Sequence, residues 1–193
     1  MLSQQKLILA SASPRRQDLL REAGIEFEVY PAHIPEIQSA GESPLEYALR
    51  LAREKAQAVA KRFPERFVLG ADTIVVVDSQ VLGKPRDSED AARMLRLLSG
   101  RGHEVTTAVS LVLPQPARTA DTRSCITQVF FRELREPEIL DYAASGEPLD
   151  KAGAYAIQGG AARWNVRLEG DYSNVVGLPL PLLGDMLRDN GFM

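Results

Sequence analysis

A chain of 193 residues, 45% hydrophobic and 25% charged, is long enough to enclose a full core and has the composition of an ordinary soluble domain. Its net charge of −3 argues against a protein that grips nucleic acid polymers by bulk electrostatics, but leaves room for a small anion held by a local cluster. The single cysteine, Cys125, excludes an internal disulfide, fits a reducing compartment and predicts a thiol packed in the core. The apolar run at Leu7 is too short for a secretory signal and no stretch approaches a membrane span, which predicts a cytoplasmic protein.

Lys6 to Ser11 reads as a short buried strand. It runs into Ser13-Pro14-Arg15-Arg16, where a serine N-cap and a proline at the first helical position predict a helix that packs Leu19 and Leu20 and stops at Gly24. Two cations at a helix N-terminus oppose the helix dipole, a placement that makes sense when an anion sits on the unpaired amides of that turn. Arg15 and Arg16 therefore mark a candidate phosphate site. A second strand, Glu26 to Pro31, leads into an irregular segment, Ala32 to Gly41, that contains Pro35 and Glu36. Ser43-Pro44-Leu45-Glu46 is a capping box opening a helix to about Arg62. Its apolar stripe is Leu45, Ala48, Leu51, Ala52, Ala56 and Val59, and Lys55 falls on or beside it, a position from which a lysine ordinarily snorkels to water.

Val68 to Pro85 predicts a hairpin. The first run delivers Asp72 to the point where alternation breaks, continues from Ile74 to Val77, turns at Asp78-Ser79-Gln80, and returns through Val81 and Leu82 to Lys84. An acid and a base at neighbouring strand ends form a candidate site. Asp87 or Ser88 caps a helix through Leu98, and Gly100 and Gly102 follow that helix instead of a strand, so the dinucleotide fingerprint is absent. His103 to Leu113 and Thr122 to Arg132 predict a second hairpin around Pro114 to Thr119. Two histidines, His33 and His103, with one cysteine cannot build a usual zinc site, which leaves Asp and Glu for any hard cation. A helix from Glu136 to about Ser145, a candidate ligand loop from Glu147 to Gly160, a strand from Arg163 to Leu168 and a final helix to about Asn190 complete the chain. Only five of its 23 cations are lysines, so Lys55, Lys84 and Lys151 suit places that need a compact point charge.

In chain order, Leu9-Ala10-Ser11-Ala12-Ser13-Pro14-Arg15-Arg16, the Glu36 segment, Lys55-Ala56, Gly70-Ala71-Asp72-Thr73, Gly83-Lys84-Pro85, Asp150-Lys151-Ala152-Gly153 with Ile157-Gln158-Gly159, and Val175-Val176-Gly177-Leu178-Pro179 make up a pattern. From about Lys6 to Phe192 it resembles the Maf family of nucleoside triphosphate pyrophosphatases. The resemblance implies one domain over residues 1–193 with an α/β, Maf/inosine triphosphate pyrophosphatase-like fold: a long mixed β-sheet with helices, and two lobes around a central cleft. It implies hydrolysis of a nucleoside triphosphate to the monophosphate and pyrophosphate by water attack on the α-phosphorus. It also implies a divalent metal cation, Mg²⁺ or Mn²⁺, and a cytoplasmic homodimer. Asp72 would accept the proton of water, and Glu36 and Asp72 would hold the metal. Ser11, Ser13, Arg16, Lys55 and Lys84 would bind phosphate, with Glu36, Lys55 and Lys84 catalytic beside Asp72.

Arg15, Thr73 and Gln158 match the branch that resembles dTTP/UTP pyrophosphatases. A glutamine amide offers both donor and acceptor to the edge of uracil or thymine. That branch implies dTTP and UTP as substrates, with modified pyrimidine nucleotides as further targets of housecleaning. The 7-methyl-GTP branch, which tends to carry tryptophan, glutamine and glutamate at these places, is one alternative; a nucleotide-sensing regulator of septum formation is another. Three departures from the family pattern stand out. Pro35 replaces the usual Asp, Ala156 replaces a glycine, and Trp164-Asn165 replaces an apolar pair, where the indole is expected to pack.

Overall fold

The computed structural model describes residues 6–193. The chain runs β1 (Leu7–Leu9), α1 (Pro14–Glu22), β2 (Phe27–Val29), α2 (Pro44–Ala60), β3 (Val68–Val77) and β4 (Gln80–Leu82). It continues through α3 (Ser88–Leu98), β5 (Gly102–Val112), β6 (Ala120–Phe131), α4 (Glu136–Ala144), β7 (Asn165–Glu169), α5 (Tyr172–Val176) and α6 (Leu180–Asp189). Seven strands form one mixed sheet in the order β2-β1-β3-β5-β6-β7, with β4 paired to β3, so the fold is α/β. Two compact units divide the chain. One holds the described residues through Asp72 with Thr107–Cys125 and Gly177–Met193, and the other holds Thr73–Thr106 and Ile126–Val176. No helix among the described residues is long and apolar enough to cross a membrane.

In the first unit β1 pairs in parallel with β2, Leu7 opposite Phe27, and with β3, Ile8 opposite Val68. Parallel neighbours need crossover connections, which α1 and α2 supply. Both helices begin where side-chain caps replace missing backbone partners. Ser13 Oγ accepts from Arg16 N at 3.5 Å, and in the reciprocal capping box Ser43 N donates to Glu46 Oε2 at 2.9 Å while Ser43 Oγ accepts from Glu46 N at 3.3 Å. Ile8, Ala10, Ala56, Val59, Val68 and Val112 are buried together. Two expectations fail here. Leu45 leaves the apolar stripe and is exposed while Tyr47 is buried, because the first turn of α2 faces water at Leu45. Cys125 is half-buried and not a core thiol.

In the second unit β3 and β4 form the expected hairpin, with Val75 opposite Leu82 and Val77 opposite Gln80. Its turn is the pair Asp78-Ser79, with φ of 50° and 62°, so Gln80 already belongs to the returning strand. Positive φ at both central residues matches the strand twist and makes this a type I′ connection. Asp72 lies inside β3, not at a strand end as expected. β3 is one continuous strand of 10 residues, nearly all buried, so its apolar run does not alternate. The loop after α4 folds as three short 3-10 helices, Glu147–Asp150, Ala152–Ala154 and Gly160–Trp164, the last displacing the start of β7 to Asn165. The segment before Gly177 is helical as α5, started by Asp171 Oδ1 accepting from Ser173 N at 2.8 Å.

Five aromatic rings pack edge to face in this unit. His103 lies 4.9 Å from Phe131 and 5.4 Å from Tyr155, and Trp164, fully buried, lies 4.9 Å from Tyr142. The indole packs as expected. His103 Nε2 and the Tyr155 hydroxyl are 2.7 Å apart, and burial pushes the imidazole down from its ordinary value to about 4. Unfolded chains take up this proton near pH 6.5, so stability is retained above that value and falls as pH drops from about 6.5 to 4. In urea unfolding, the wild type should lose about 3 kcal/mol more over this window than His103→Gln.

Candidate active site

The site grows from three neighbouring pieces of the first unit. β1 ends at Leu9 and delivers Ser11 and the Ser13 cap of α1. α2 presents Lys55, and β3 presents Asp72. Gly70 permits their approach. A Cβ there would collide with the Ala52 carbonyl oxygen and lie 2.6 Å from Ala56 N and 2.9 Å from Ala56 Cβ, so the backbone of α2 rests directly on β3. Gly70 and Asp72 share a face of the strand because side chains alternate, and Lys55 adjoins Ala56.

Lys55 is buried, not snorkelled: its side chain is 10% exposed and that of Asp72 is 8%. Lys55 Nζ donates to Asp72 Oδ1 at 2.6 Å and meets Glu36 Oε1 at 2.7 Å. An ammonium on the apolar stripe of a helix is tolerable because two carboxylates neutralise it there. Arg16 stands beside this cluster in the same unit. Its Nε donates to the Gly177 carbonyl at 2.8 Å and its Nη1 to Ser11 Oγ at 3.1 Å, while Ser13 N donates to Ser11 Oγ at 3.2 Å. Withdrawal of the guanidinium from water lowers its pKa from the ordinary arginine value, the charges of Asp72 and Glu36 raise it, and Arg15 lowers it further. The group remains a cation at physiological pH.

Six expected site residues, Ser11, Ser13, Arg16, Glu36, Lys55 and Asp72, thus fall within one unit, with Arg15 half-buried on the first turn of α1. Thr73, Lys84 and Gln158 belong to the second unit. Thr73 is half-buried on β3, Lys84 is exposed just beyond β4, and Gln158 is exposed. Lys151 is used locally, its Nζ donating to the Glu147 carbonyl and to Asp150 Oδ1, both at 2.6 Å. Sequence reasoning gave no role to Gly70 as a contact residue or to the Gly177 carbonyl. The signals were the glycines themselves, one inside a buried strand and one with φ of 127°.

A family model described as Maf-like protein matches residues 6–190. The chain belongs to the Maf-like protein family. A relative from Koribacter versatilis named dTTP/UTP pyrophosphatase is 56% identical to this Maf-like chain over 187 residues, spanning 97% of the chain and 95% of the relative. Another of that name, from Geobacter metallireducens, is 50% identical over 192 residues, 99% of both. A solved HAM1 protein from Coxiella burnetii shares the fold with a TM-score of 0.52 at 17% identity, over 96% of this chain and 99% of its own. The Ham1 protein of Staphylococcus aureus gives the same TM-score at 15% identity, with the same coverage.

Replacing Lys55 in this Maf-like protein by methionine leaves Asp72 buried without its cation. Urea unfolding at neutral pH should show a loss of about 3 kcal/mol. Gly70→Ala should cost about as much by forcing α2 off the strand, measured in the same way.

Proposed function

We propose that this protein hydrolyses nucleoside triphosphates, dTTP and UTP in preference, to the monophosphate and pyrophosphate. The observation that carries the reading is the Lys55 ammonium held between Asp72 and Glu36, in a chain more than half identical to a dTTP/UTP pyrophosphatase. Water attacks the α-phosphorus. Its oxygen forms the new P–O bond as the bond to the bridging oxygen breaks, and that electron pair leaves with pyrophosphate. Asp72 accepts the proton of the attacking water, its carboxylate oriented through Oδ1 by Lys55. Arg16, with its planar fork fixed by Gly177 and Ser11, supplies positive charge toward the phosphate oxygens and requires no reorganisation as charge develops. Lys55 shares that role, and the proposal includes Lys84 as a further phosphate ligand, with Ser11 and Ser13 on the α1 turn.

A divalent cation, Mg²⁺ or Mn²⁺, fits the donor set. Oxygens of Glu36 and Asp72, carried by separate segments, converge on one ammonium at 2.7 and 2.6 Å, and hard cations of this class take carboxylate oxygens with water and phosphate. Among the described residues no group of three or more His, Cys, Asp or Glu forms a fuller cage. Such an ion supplies Lewis acidity for the phosphoryl oxygens and acidifies water. Arg15, Thr73 and Gln158 are proposed to select the pyrimidine, and the protein to act as a cytoplasmic homodimer.

A panel of nucleoside triphosphates with Mg²⁺ or Mn²⁺ tests the reading. Pyrophosphate should be the first product, with dTTP and UTP turned over fastest, and Asp72→Asn should lower kcat at least about 100-fold. Orthophosphate as the first product overturns the reaction; preference for 7-methyl-GTP overturns the base assignment.

A further inference from the structure

Glu36 differs from its two partners in the site. Its side chain is 42% exposed and it follows Pro35 on the irregular segment between β2 and α2, yet it meets the buried ammonium of Lys55 at 2.7 Å. An exposed glutamate on a loop keeps such a contact only when the backbone that carries it is fixed, because ordering a free segment costs conformational entropy. Arg50 fixes it. Its Nε meets Glu42 Oε1 at 2.6 Å and its Nη2 meets Glu42 Oε2 at 2.8 Å, a fork that holds both carboxylate oxygens. Nη2 also donates to the carbonyl of Ile37, the residue after Glu36, at 2.9 Å, and Nη1 lies 3.3 Å from Glu54.

Glu42 ties the segment to itself. It accepts from Ser39 N at 3.0 Å through Oε2, and its carbonyl accepts from Gln38 Nε2 at 2.8 Å. The hydrogen bonds from Arg50 lower the Glu42 carboxyl to about 2, so the fork is ionised over the whole physiological range. Arg50 and Lys55 stand on the same helix, so one rigid element grips the segment at Ile37 and Glu42 and presents the ammonium that Glu36 meets. The guanidinium further lies over the ring of Tyr47, 5.5 Å from its centroid, which limits its swing.

We infer that Arg50 is a positioning residue of the active site: by gripping Glu42 and the Ile37 carbonyl it fixes the backbone that carries Glu36, and so holds the Glu36 carboxylate on Lys55 beside Asp72. The inference rests on reading this cluster as the pyrophosphatase centre. It assigns Arg50 no contact with substrate.

The test compares the wild type, Arg50→Lys, Glu36→Gln and the double variant. Lysine keeps the charge but cannot form the fork and reach the carbonyl together. Amide hydrogen exchange at residues 37–42 should rise about 10-fold in Arg50→Lys, while the interior of α2 is unchanged. With dTTP, kcat should fall about 10-fold in the normal background and less than about 2-fold when Glu36 is already glutamine. Unchanged exchange at 37–42 overturns the grip, and equal loss of kcat in both backgrounds overturns its action through Glu36. Glu42→Gln, which weakens the fork from the loop side, should repeat the pattern and serves if Arg50→Lys fails to fold. Should the wild type release no pyrophosphate, the functional reading fails, and exchange together with the coupling of Arg50→Lys and Glu36→Gln in urea unfolding decides the inference: non-additive losses support it and additive losses overturn it.

Discussion

The cluster of Lys55, Asp72 and Glu36 depends on how closely a helix can approach a strand. At Gly70 the backbone of α2 touches β3 with no side chain between them, and this contact brings Lys55 within hydrogen-bond distance of Asp72. Any larger residue at Gly70 would force α2 outward, and a shift of one ångström is enough to break a 2.6 Å charge-assisted bond. Packing therefore sets the electrostatics here, since the ion pair exists because the glycine permits it.

Charge is then built outward from a dry centre to a wet rim. Lys55 and Asp72 are buried, Glu36 reaches in from an exposed loop, and Arg16 is held from the side by the Gly177 carbonyl and Ser11. A buried ion pair is seldom a gain in stability over apolar packing, so its presence in the apolar stripe of α2 points to use. The surrounding caps and ladders are ordinary. They hold the ends of β1, α1 and α2 in place so that few degrees of freedom remain at the site.

Much of this was legible in the sequence. Serine-proline starts, the capping box at Ser43 and the glycine stop at Gly24 located α1 and α2 because each replaces a specific unpaired backbone group. The Asp78-Ser79 hairpin was legible too, though not its length, since only the backbone reveals that both turn residues take positive φ. Lys55 was ambiguous by periodicity alone, because a stripe position on a helix says nothing about a carboxylate arriving from a strand. Cys125 misled for the opposite reason: the habit of free cysteines to be buried is a tendency of composition, and on β6 the thiol stands half-buried. The short helix α5 was hidden because five residues carry too little periodicity, and its start depends on one aspartate.

The bond from Arg16 to the Gly177 carbonyl has a kinetic consequence. Glu36, Lys55 and Asp72 come from a stretch of fewer than forty residues, so their meeting closes only short loops. Arg16 must wait for a segment 161 positions away. Closing so long a loop becomes favourable only after the intervening strands have paired, because loop entropy opposes it until other contacts compensate. The cluster of Glu36, Lys55 and Asp72 therefore carries a smaller loop-closure cost than the Arg16–Gly177 bond, and the guanidinium takes its orientation only once the body of the chain is in place.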